Sequence, residues 1–165
     1  MLEVFAQLGE IYLVRGANDG VRECIRRIRD CLASYSGVVT GTMPEAAERV
    51  RMSDAEVAHM TCRYSARAQF LETGLAAALG DHEGAASALA ALSDMGRTTD
   101  FVDLTDEHGC LVTYAQMLCA GALRDDDLHA QSFPLWEQVL AALDDPDRLS
   151  SDSPFGDYLR VAGAT

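Results

Sequence analysis

The chain contains no lysine, and all thirteen of its basic residues are arginine. A Gly-Lys-Ser/Thr phosphate-binding loop, a Schiff-base enzyme and a pyridoxal-phosphate enzyme all need a lysine, so these chemistries are excluded. Proline is also scarce, with four in 165 residues, and alanine and leucine predominate over β-branched residues among the apolar side chains. Because strands prefer β-branched residues, this composition predicts an all-α fold.

Cysteine occurs without any Cys-x-x-Cys pair. The five cysteines are Cys24, Cys31, Cys62, Cys110 and Cys119. Most fall on the apolar side of predicted helices, where a thiol behaves as a small buried hydrophobe. No apolar run approaches the roughly 20 residues of a membrane span. Residues 1–14 lack the basic leader of a signal peptide and include two glutamates, so we expect a cytoplasmic protein.

The acidic charge is concentrated in the last third of the chain. The net charge is −13, and residues 100–165 hold three arginines against thirteen acidic residues, whereas residues 1–99 hold ten against thirteen. A nucleic-acid-binding domain needs a basic face for phosphates, and an anionic membrane also attracts basic residues. The sequence therefore predicts that neither nucleic acid nor membrane is a partner.

Residues 5–35 show the clearest pattern, which is that of two short helices folded back through a turn at residues 16–20. The first helix is expected from about Leu2 to Arg15, and Gly9 would let a neighbouring helix approach closely. Its expected inward side chains are Phe5, Leu8, Ile11, Tyr12 and Val14. The second helix is expected to begin with Asn18 or Asp19 as N-cap and to end near residues 36–37. Its apolar residues, at steps of three and four, are Val21, Cys24, Ile25, Ile28, Cys31, Leu32 and Tyr35.

Further helices follow from capping signals. A short helical piece is expected at residues 45–50, and the Ser53-Asp54-Ala55-Glu56 capping box predicts a long helix that ends at Gly80. A helix-turn-helix over residues 56–71 is disfavoured because the apolar period passes through its turn unbroken.

Three later boundaries are also predicted. Asp81 should cap a helix that ends at Gly96 in the left-handed conformation, and the next helix should begin at Thr105. Because proline is excluded from helix interiors, a further helix should begin at Phe133-Pro134. We expect one domain at residues 1–143 and an acidic, turn-rich tail at residues 144–165.

The opening hairpin resembles a tetratricopeptide repeat at most of the positions that define this repeat. The matching positions are Phe5, Leu8-Gly9, Tyr12, Gly16, Val21, Ile25 and Ile28. A second hairpin matches at Gly80, Ala85, Leu89 and Leu92, but has Glu72-Thr73 in place of Leu-Gly and Ala76 in place of the tyrosine. Residues 111–143 fit only as a pair of helices.

The resemblance implies a right-handed array of about three hairpins, like the helical regions of bacterial LuxR/MalT-type regulators. Such arrays bind peptides or neighbouring domains in a concave groove. The alternative architecture is an irregular helical bundle.

Arginines on the first hairpin form the only concentrated positive surface in the sequence. They are Arg15, Arg22, Arg26 and Arg29, with Arg27 nearby. Such a run is often just a solvated helix face. The functional interpretation is that these arginines bind an acidic protein segment, from this chain, a second copy or another protein, through bidentate carboxylate contacts.

A metal-dependent helical-bundle enzyme is one alternative function class. Glu56-x-x-His59 and Asp126-x-x-His129 have the spacing of half di-iron sites, but the capping box already accounts for Glu56. His59 with Cys62, or His108 with Cys110, lacks the third orienting group of a cysteine nucleophile or standard zinc spacing.

A small-molecule sensor is the remaining alternative. Its pocket would be lined by Tyr12, Tyr64, Tyr114 and Trp136. The interpretation favoured by the sequence is a non-catalytic protein-interaction or regulatory module without a cofactor. It would act in a signalling or transcription-regulatory system, and a homodimer is compatible with it.

Overall fold

A computed structural model describes residues 1–39 and 52–123, and side-chain burial within residues 1–35 and 52–119. The described residues form five α-helices and no strand, which confirms the predicted all-α class. The helices are α1 (Leu2–Val14), α2 (Asn18–Val39), α3 (Asp54–Ala78), α4 (His82–Thr98) and α5 (Val102–Leu123). The predicted pieces at 45–50 and 133–143, the domain boundary at 143 and the tail at 144–165 lie outside these residues.

Helix α3 is the centre of the fold, because each of the other four helices packs against it. Its Ala66, Phe70 and Leu71 are completely buried, and the ring of Phe70 stacks on Tyr114 of α5 with centroids 5.2 Å apart. The other helices contribute fully buried side chains to the same core. These are Ala6 from α1, Val21 and Ile28 from α2, Leu92 from α4, and Leu111 and Ala115 from α5.

The same turn ends both α1 and α3. Gly16 and Gly80 have positive φ values of 66° and 72°, a conformation that costs glycine little because it has no Cβ. The N–H of Ala17 donates to the carbonyl of Tyr12 at 2.9 Å, and the N–H of Asp81 donates to that of Ala76 at 3.0 Å. This is the Schellman arrangement, in which a glycine lets the chain reverse directly after a helix.

Side-chain caps set the start of α3 and α4 as predicted. Ser53 Oγ accepts from the Glu56 N–H at 3.2 Å, and the Glu56 carboxylate accepts from the Ser53 N–H at 2.7 Å, which completes the capping box. Asp81 accepts from the Gly84 N–H at 2.9 Å and caps α4. Helix α3 continues without interruption through residues 61–62, where a helix-turn-helix would need its turn.

Four predicted helix boundaries need correction. Gly96 lies inside α4, which continues to Thr98, and α5 begins at Val102 rather than Thr105. A Cβ added at Gly96 would lie 3.6 Å from the Cβ of His108 on α5, an ordinary van der Waals distance, so a methyl group would fit there. Helix α2 already begins at Asn18, so the predicted N-cap at Asn18 or Asp19 is wrong, and it extends to Val39, beyond the predicted end at residues 36–37.

The predicted inward face of α1 is also partly wrong. Leu2, Ala6 and Gly9 are buried, whereas Leu8, Ile11 and Val14 are exposed. The reason is the close approach that Gly9 permits: a Cβ there would lie 2.5 Å from Leu71 Cδ1 and 3.2 Å from Cys24 Cβ. Because α2 and α3 come so near, small residues face the core, and the larger ones are left outside. Phe5 and Tyr12 pack against the core as expected.

Candidate functional site

Three of the four candidate arginines lie together at the boundary between α2 and α3. Arg22, Arg26 and Arg29 line a shallow groove of about 330 Å³. The rest of its lining is Ile25, Asp30, Glu72 and Leu75. We call this the α2–α3 groove. Arg15 lies apart, exposed at the end of α1, and does not line it.

Each arginine of the groove is paired with a carboxylate of the same chain. Arg22 binds Asp19 at 2.7 Å, Arg26 binds Glu23 at 2.6 Å and Asp30 at 2.8 Å, and Arg29 binds Glu72 at 2.7 Å. Hydrogen bonds from Arg26 and Arg27 lower the pKa of Glu23 to about 2. The positive surface expected from the sequence is therefore largely compensated by its own acidic neighbours.

A second groove, of about 420 Å³, lies between α3 and α4. It shares Glu72 and Leu75 with the α2–α3 groove, so the two flank α3 on either side. Its α4 lining consists of Gly84, Ser87, Ala88 and Ala91. These small side chains leave the second groove without an arginine or an aromatic ring.

The most buried charge of the described residues is Arg67 on α3, whose side chain is 1% exposed. Its Nη1 lies 3.0 Å from Glu3 Oε1 of α1, and its Nε donates to Glu107 Oε1 of α5 at 3.0 Å. Arg63, one turn earlier on α3, also binds Glu107 at 3.0 Å, and Glu10 of α1 lies 4.0 Å from Arg67. We call these five residues the carboxylate–arginine cluster.

Within this cluster, the pKa values of Glu10 and Glu3 are shifted in opposite directions, although burial acts in the same sense on both. Burial raises the pKa of Glu10 to about 7, with Glu3 and Glu107 adding to the effect and Arg67 opposing it. For Glu3, burial alone would raise the pKa, but Arg67 and the hydrogen bond from Tyr64 hold it below its ordinary value. With Glu10 protonated, the two remaining carboxylates balance the two guanidinium groups. The cluster therefore joins α1 and α5 to α3, and it is neutral when Glu10 carries a proton.

The residues considered for metal or thiol chemistry are dispersed. Glu56 is held in the capping box, and His59 Nε2 lies 2.7 Å from Asp103 Oδ2. Asp126 and His129 lie outside the described residues. Nowhere in residues 1–39 and 52–123 do three or more His, Cys, Asp or Glu side chains form a group suited to a metal ion.

The thiols and the second histidine, His108, are likewise dispersed. Burial raises the pKa of Cys119 to about 11, the opposite of what a nucleophilic thiolate needs. Cys62 Sγ lies 3.4 Å from Thr99 Oγ1. His108 is fully buried and Cys110 is exposed, so they do not form a pair. Burial lowers the pKa of His108, which keeps its imidazole neutral.

The aromatic residues considered for a sensor pocket serve three separate contacts. Tyr12 packs on Gly20, Tyr64 donates to Glu3 at 2.9 Å, and Tyr114 stacks on Phe70. None of the three lines either groove, and Trp136 lies outside the described residues.

The carboxylate–arginine cluster is not among the sites predicted from the sequence. A signal was present, because Arg67 lies three residues after Tyr64 and four before Leu71, on the apolar face of α3, where an unpaired charge would be costly. Its partners could not be found in the same way, since Glu3 is 64 positions away along the chain and Glu107 is 40.

Comparisons with known proteins give no relative from which a function could be transferred. No family model, no curated protein and no solved structure matches this chain. In the part of the chain that the structure describes, no helix has the length and apolarity that a membrane crossing requires.

Proposed function

We propose that this chain is a non-catalytic protein-interaction module that binds an acidic segment of a partner protein in the α2–α3 groove. The observation that carries the proposal is the convergence of Arg22, Arg26 and Arg29 on one groove. Ile25 and Leu75, both largely buried, also line this groove. A groove that combines guanidinium groups with apolar lining suits a peptide that alternates carboxylates and apolar side chains.

The internal ion pairs of the groove do not prevent such binding. Each of the three arginine side chains is about half exposed, at 53% to 54%. Ion pairs at this exposure contribute little to stability, because water and salt screen them. A guanidinium group also has five N–H donors. An incoming carboxylate can therefore add to the internal pair or replace it at little cost.

Two corresponding features of the hairpins support a tetratricopeptide-like arrangement as part of the proposal. Both hairpins have the same glycine turn, at Gly16 and Gly80. Buried positions also correspond, since Val21 and Ile28 of α2 are as fully buried as Ala85 and Leu92 of α4. We propose that such a module serves a signalling or transcription-regulatory system, where recognition without catalysis is a common task.

A displayed library of random peptides, selected against the full chain at low salt, tests the proposal. We expect the selected peptides to be acidic and their affinity, measured by fluorescence anisotropy, to fall with added salt. The triple variant Arg22→Glu, Arg26→Glu, Arg29→Glu should bind them at least about tenfold more weakly, because it reverses the charge of the groove.

The matched control is Arg97→Glu on α4. Arg97 is also exposed and paired three residues away, with Asp94, but it lies outside both grooves. Arg15→Glu should likewise leave binding unchanged. Selection of peptides without acidic residues, or a triple variant that binds like the unaltered chain, would refute the proposal.

A further inference from the structure

Helix α1 buries few large apolar side chains. Its buried residues are Leu2, Ala6 and Gly9. Four of its larger apolar side chains are exposed, namely Val4, Leu8, Ile11 and Val14. Phe5, Tyr12 and Leu13 pack against the core but are only partly buried. Because apolar stabilisation grows with the buried area, these contacts hold α1 less strongly than large, fully buried side chains would.

Two acids of α1 add a polar attachment to α3 and α5. Glu3 binds Arg67 at 3.0 Å and accepts a hydrogen bond from Tyr64 at 2.9 Å. Glu10, two turns later, is 12% exposed and lies near the same guanidinium. Arg67 in turn binds Glu107 of α5 at 3.0 Å. The docking of α1 therefore depends on the charges inside the carboxylate–arginine cluster.

Glu10 is the acid of this cluster that lacks a close partner. Its Oε1 lies 4.0 Å from Arg67 Nη1, and no hydrogen bond from the described residues reaches it. Arg67 Nη2 is also buried without a partner among these residues, so Glu10 does not satisfy the guanidinium either. An ionised Glu10 would be a buried and poorly compensated charge, which is costly.

The groups that act on Glu10 come from three helices. Arg67 of α3 favours its ionisation, whereas Glu3 of α1 and Glu107 of α5 oppose it, and the described part of α2 adds no charged group to this set. Arg63, the second cation of the cluster, is bound to Glu107 at 3.0 Å. With all three carboxylates ionised, the cluster has three negative charges against two positive ones. Ionisation of Glu10 therefore leaves one uncompensated negative charge where α1 meets α3.

We propose that the carboxylate–arginine cluster is a pH-dependent switch for α1. With Glu10 protonated, α1 is held on α2 and α3. With Glu10 ionised, the equilibrium shifts toward a state in which α1 has detached and helices α2 to α5 stay folded. A detached α1 has 13 residues, and a single helix of this length is marginal in water. No residue of α1 lines the α2–α3 groove, so the switch and the proposed function can fail independently.

Two native cysteines report on this opening. Cys24 on α2 is 3% exposed and lies against α1, since a Cβ added at Gly9 would lie 3.2 Å from the Cβ of Cys24. Cys119 on α5 is 1% exposed and packs with Ala77 of α3 and Ala85 of α4. Detachment of α1 therefore uncovers Cys24 and leaves Cys119 buried.

The first test measures how fast dipyridyl disulfide modifies Cys24 in the full chain, with peptide mass spectrometry to locate the modified thiol. The rate is divided by that of Glu10→Gln at the same pH, which removes the pH dependence of the thiol itself. We expect this ratio to rise about tenfold per pH unit between the ordinary pKa of Glu10, 4.5, and its folded pKa of about 7, because opening releases a proton over this range. Above about pH 7 the ratio should level off.

The matched control is Glu83→Gln, which makes the same chemical change at an exposed position of α4. Cys24 should be modified in this variant as in the unaltered chain at every pH.

The second test separates detachment of α1 from unfolding of the whole chain. At about pH 8, Cys24 of the unaltered chain should react at least about tenfold faster than Cys119, once each rate is corrected for the reactivity of the same thiol in urea-unfolded chain. Low concentrations of urea should accelerate the modification of Cys119 more than that of Cys24, because complete unfolding exposes more surface than release of one helix.

A Cys24 ratio that does not change with pH refutes the proposal. Equal corrected rates for the two cysteines, with the same response to urea, would also overturn it, because Cys24 would then be exposed only when the whole chain unfolds. If Glu83→Gln altered the pH dependence as much as Glu10→Gln, the titrating group would not be Glu10 and the proposed switch would be wrong.

Discussion

Nη1 of Arg67 and Oε1 of Glu10 lie 4.0 Å apart, too far for a hydrogen bond, inside the junction of α1, α3 and α5. Glu3 and Glu107 occupy the positions close to the guanidinium, each at 3.0 Å. Glu10 Oε1 is buried and receives no hydrogen bond from the described residues. Ionisation of Glu10 therefore costs the folded state free energy, because its buried carboxylate lacks a hydrogen bond.

The stability of the protein should fall as the pH rises through neutrality. The folded pKa of Glu10, about 7, lies above its ordinary value of 4.5, so the folded state binds the proton more tightly than the unfolded state. This contribution is fully present below pH 4.5 and is lost as the pH passes about 7. The shift corresponds to stability on the order of 3 kcal/mol. Glu10→Gln, neutral at every pH, should flatten the dependence in urea unfolding at pH 5 to 9.

Glu3→Gln is the control for this prediction. Glu3 accepts hydrogen bonds from Arg67 and Tyr64 in its charged form, so its replacement should destabilise the protein at pH 8, where Glu10→Gln stabilises it. The assignment of the titration to Glu10 would be wrong if the pH dependence persisted in Glu10→Gln.

Arg67→Met should destabilise the protein strongly. The substitution removes the buried cation that Glu3 and Glu107 both contact, and it leaves their carboxylates with fewer partners. Breaking a buried ion pair on one side typically costs about 3 to 5 kcal/mol. Arg63→Met, at a side chain 32% exposed, should cost less, because Arg67 still contacts Glu107. Equal losses in urea unfolding would show that Arg67 is not the centre of the cluster.

Gly74→Ala should destabilise the junction of α1 and α5 over α3. A Cβ at Gly74 would lie 2.5 Å from Leu13 Cδ2 and 3.2 Å from Leu118 Cδ1, so both leucines must shift. Overpacking of this kind costs about 1 to 3 kcal/mol. Gly109→Ala in α5 is the matched control, because nothing lies within 4 Å of its added Cβ. Gly109→Ala should stabilise the protein by about 0.5 to 1 kcal/mol, because alanine has the higher helix propensity. Thermal unfolding should therefore show a lower unfolding temperature for Gly74→Ala and a higher one for Gly109→Ala.

Local signals in the sequence predicted the secondary structure well where a cap or a turn specifies it. Ser53 with Glu56 marked the start of α3, and Gly80 with Asp81 marked the turn into α4, because each acts on backbone groups a few residues away. Gly96 shows the limit of this reasoning. A glycine that ends a helix and a glycine that lies inside one look the same in the sequence, and Gly96 lies inside α4, which continues to Thr98.

The candidate site was predicted in part. The arginine face of α2 follows from helical spacing, but its partner Glu72 comes from another helix and depends on how α2 and α3 pack. The face of α1 that is buried could likewise not be predicted from the spacing of its apolar residues. Its large apolar residues fit a core face by composition, whereas the close contact of Gly9 with Leu71 turns the small residues inward.

The central position of α3 also has a consequence for the order of folding. Three-residue links join α3 to α4 and α4 to α5, so these contacts close short loops and lose little chain entropy. The contact between Glu3 and Arg67 instead closes a loop of 64 positions. Of these three helix contacts, the one between α1 and α3 thus loses the most chain entropy when it forms. We expect α1 to dock onto α3 late in folding and to detach early in unfolding.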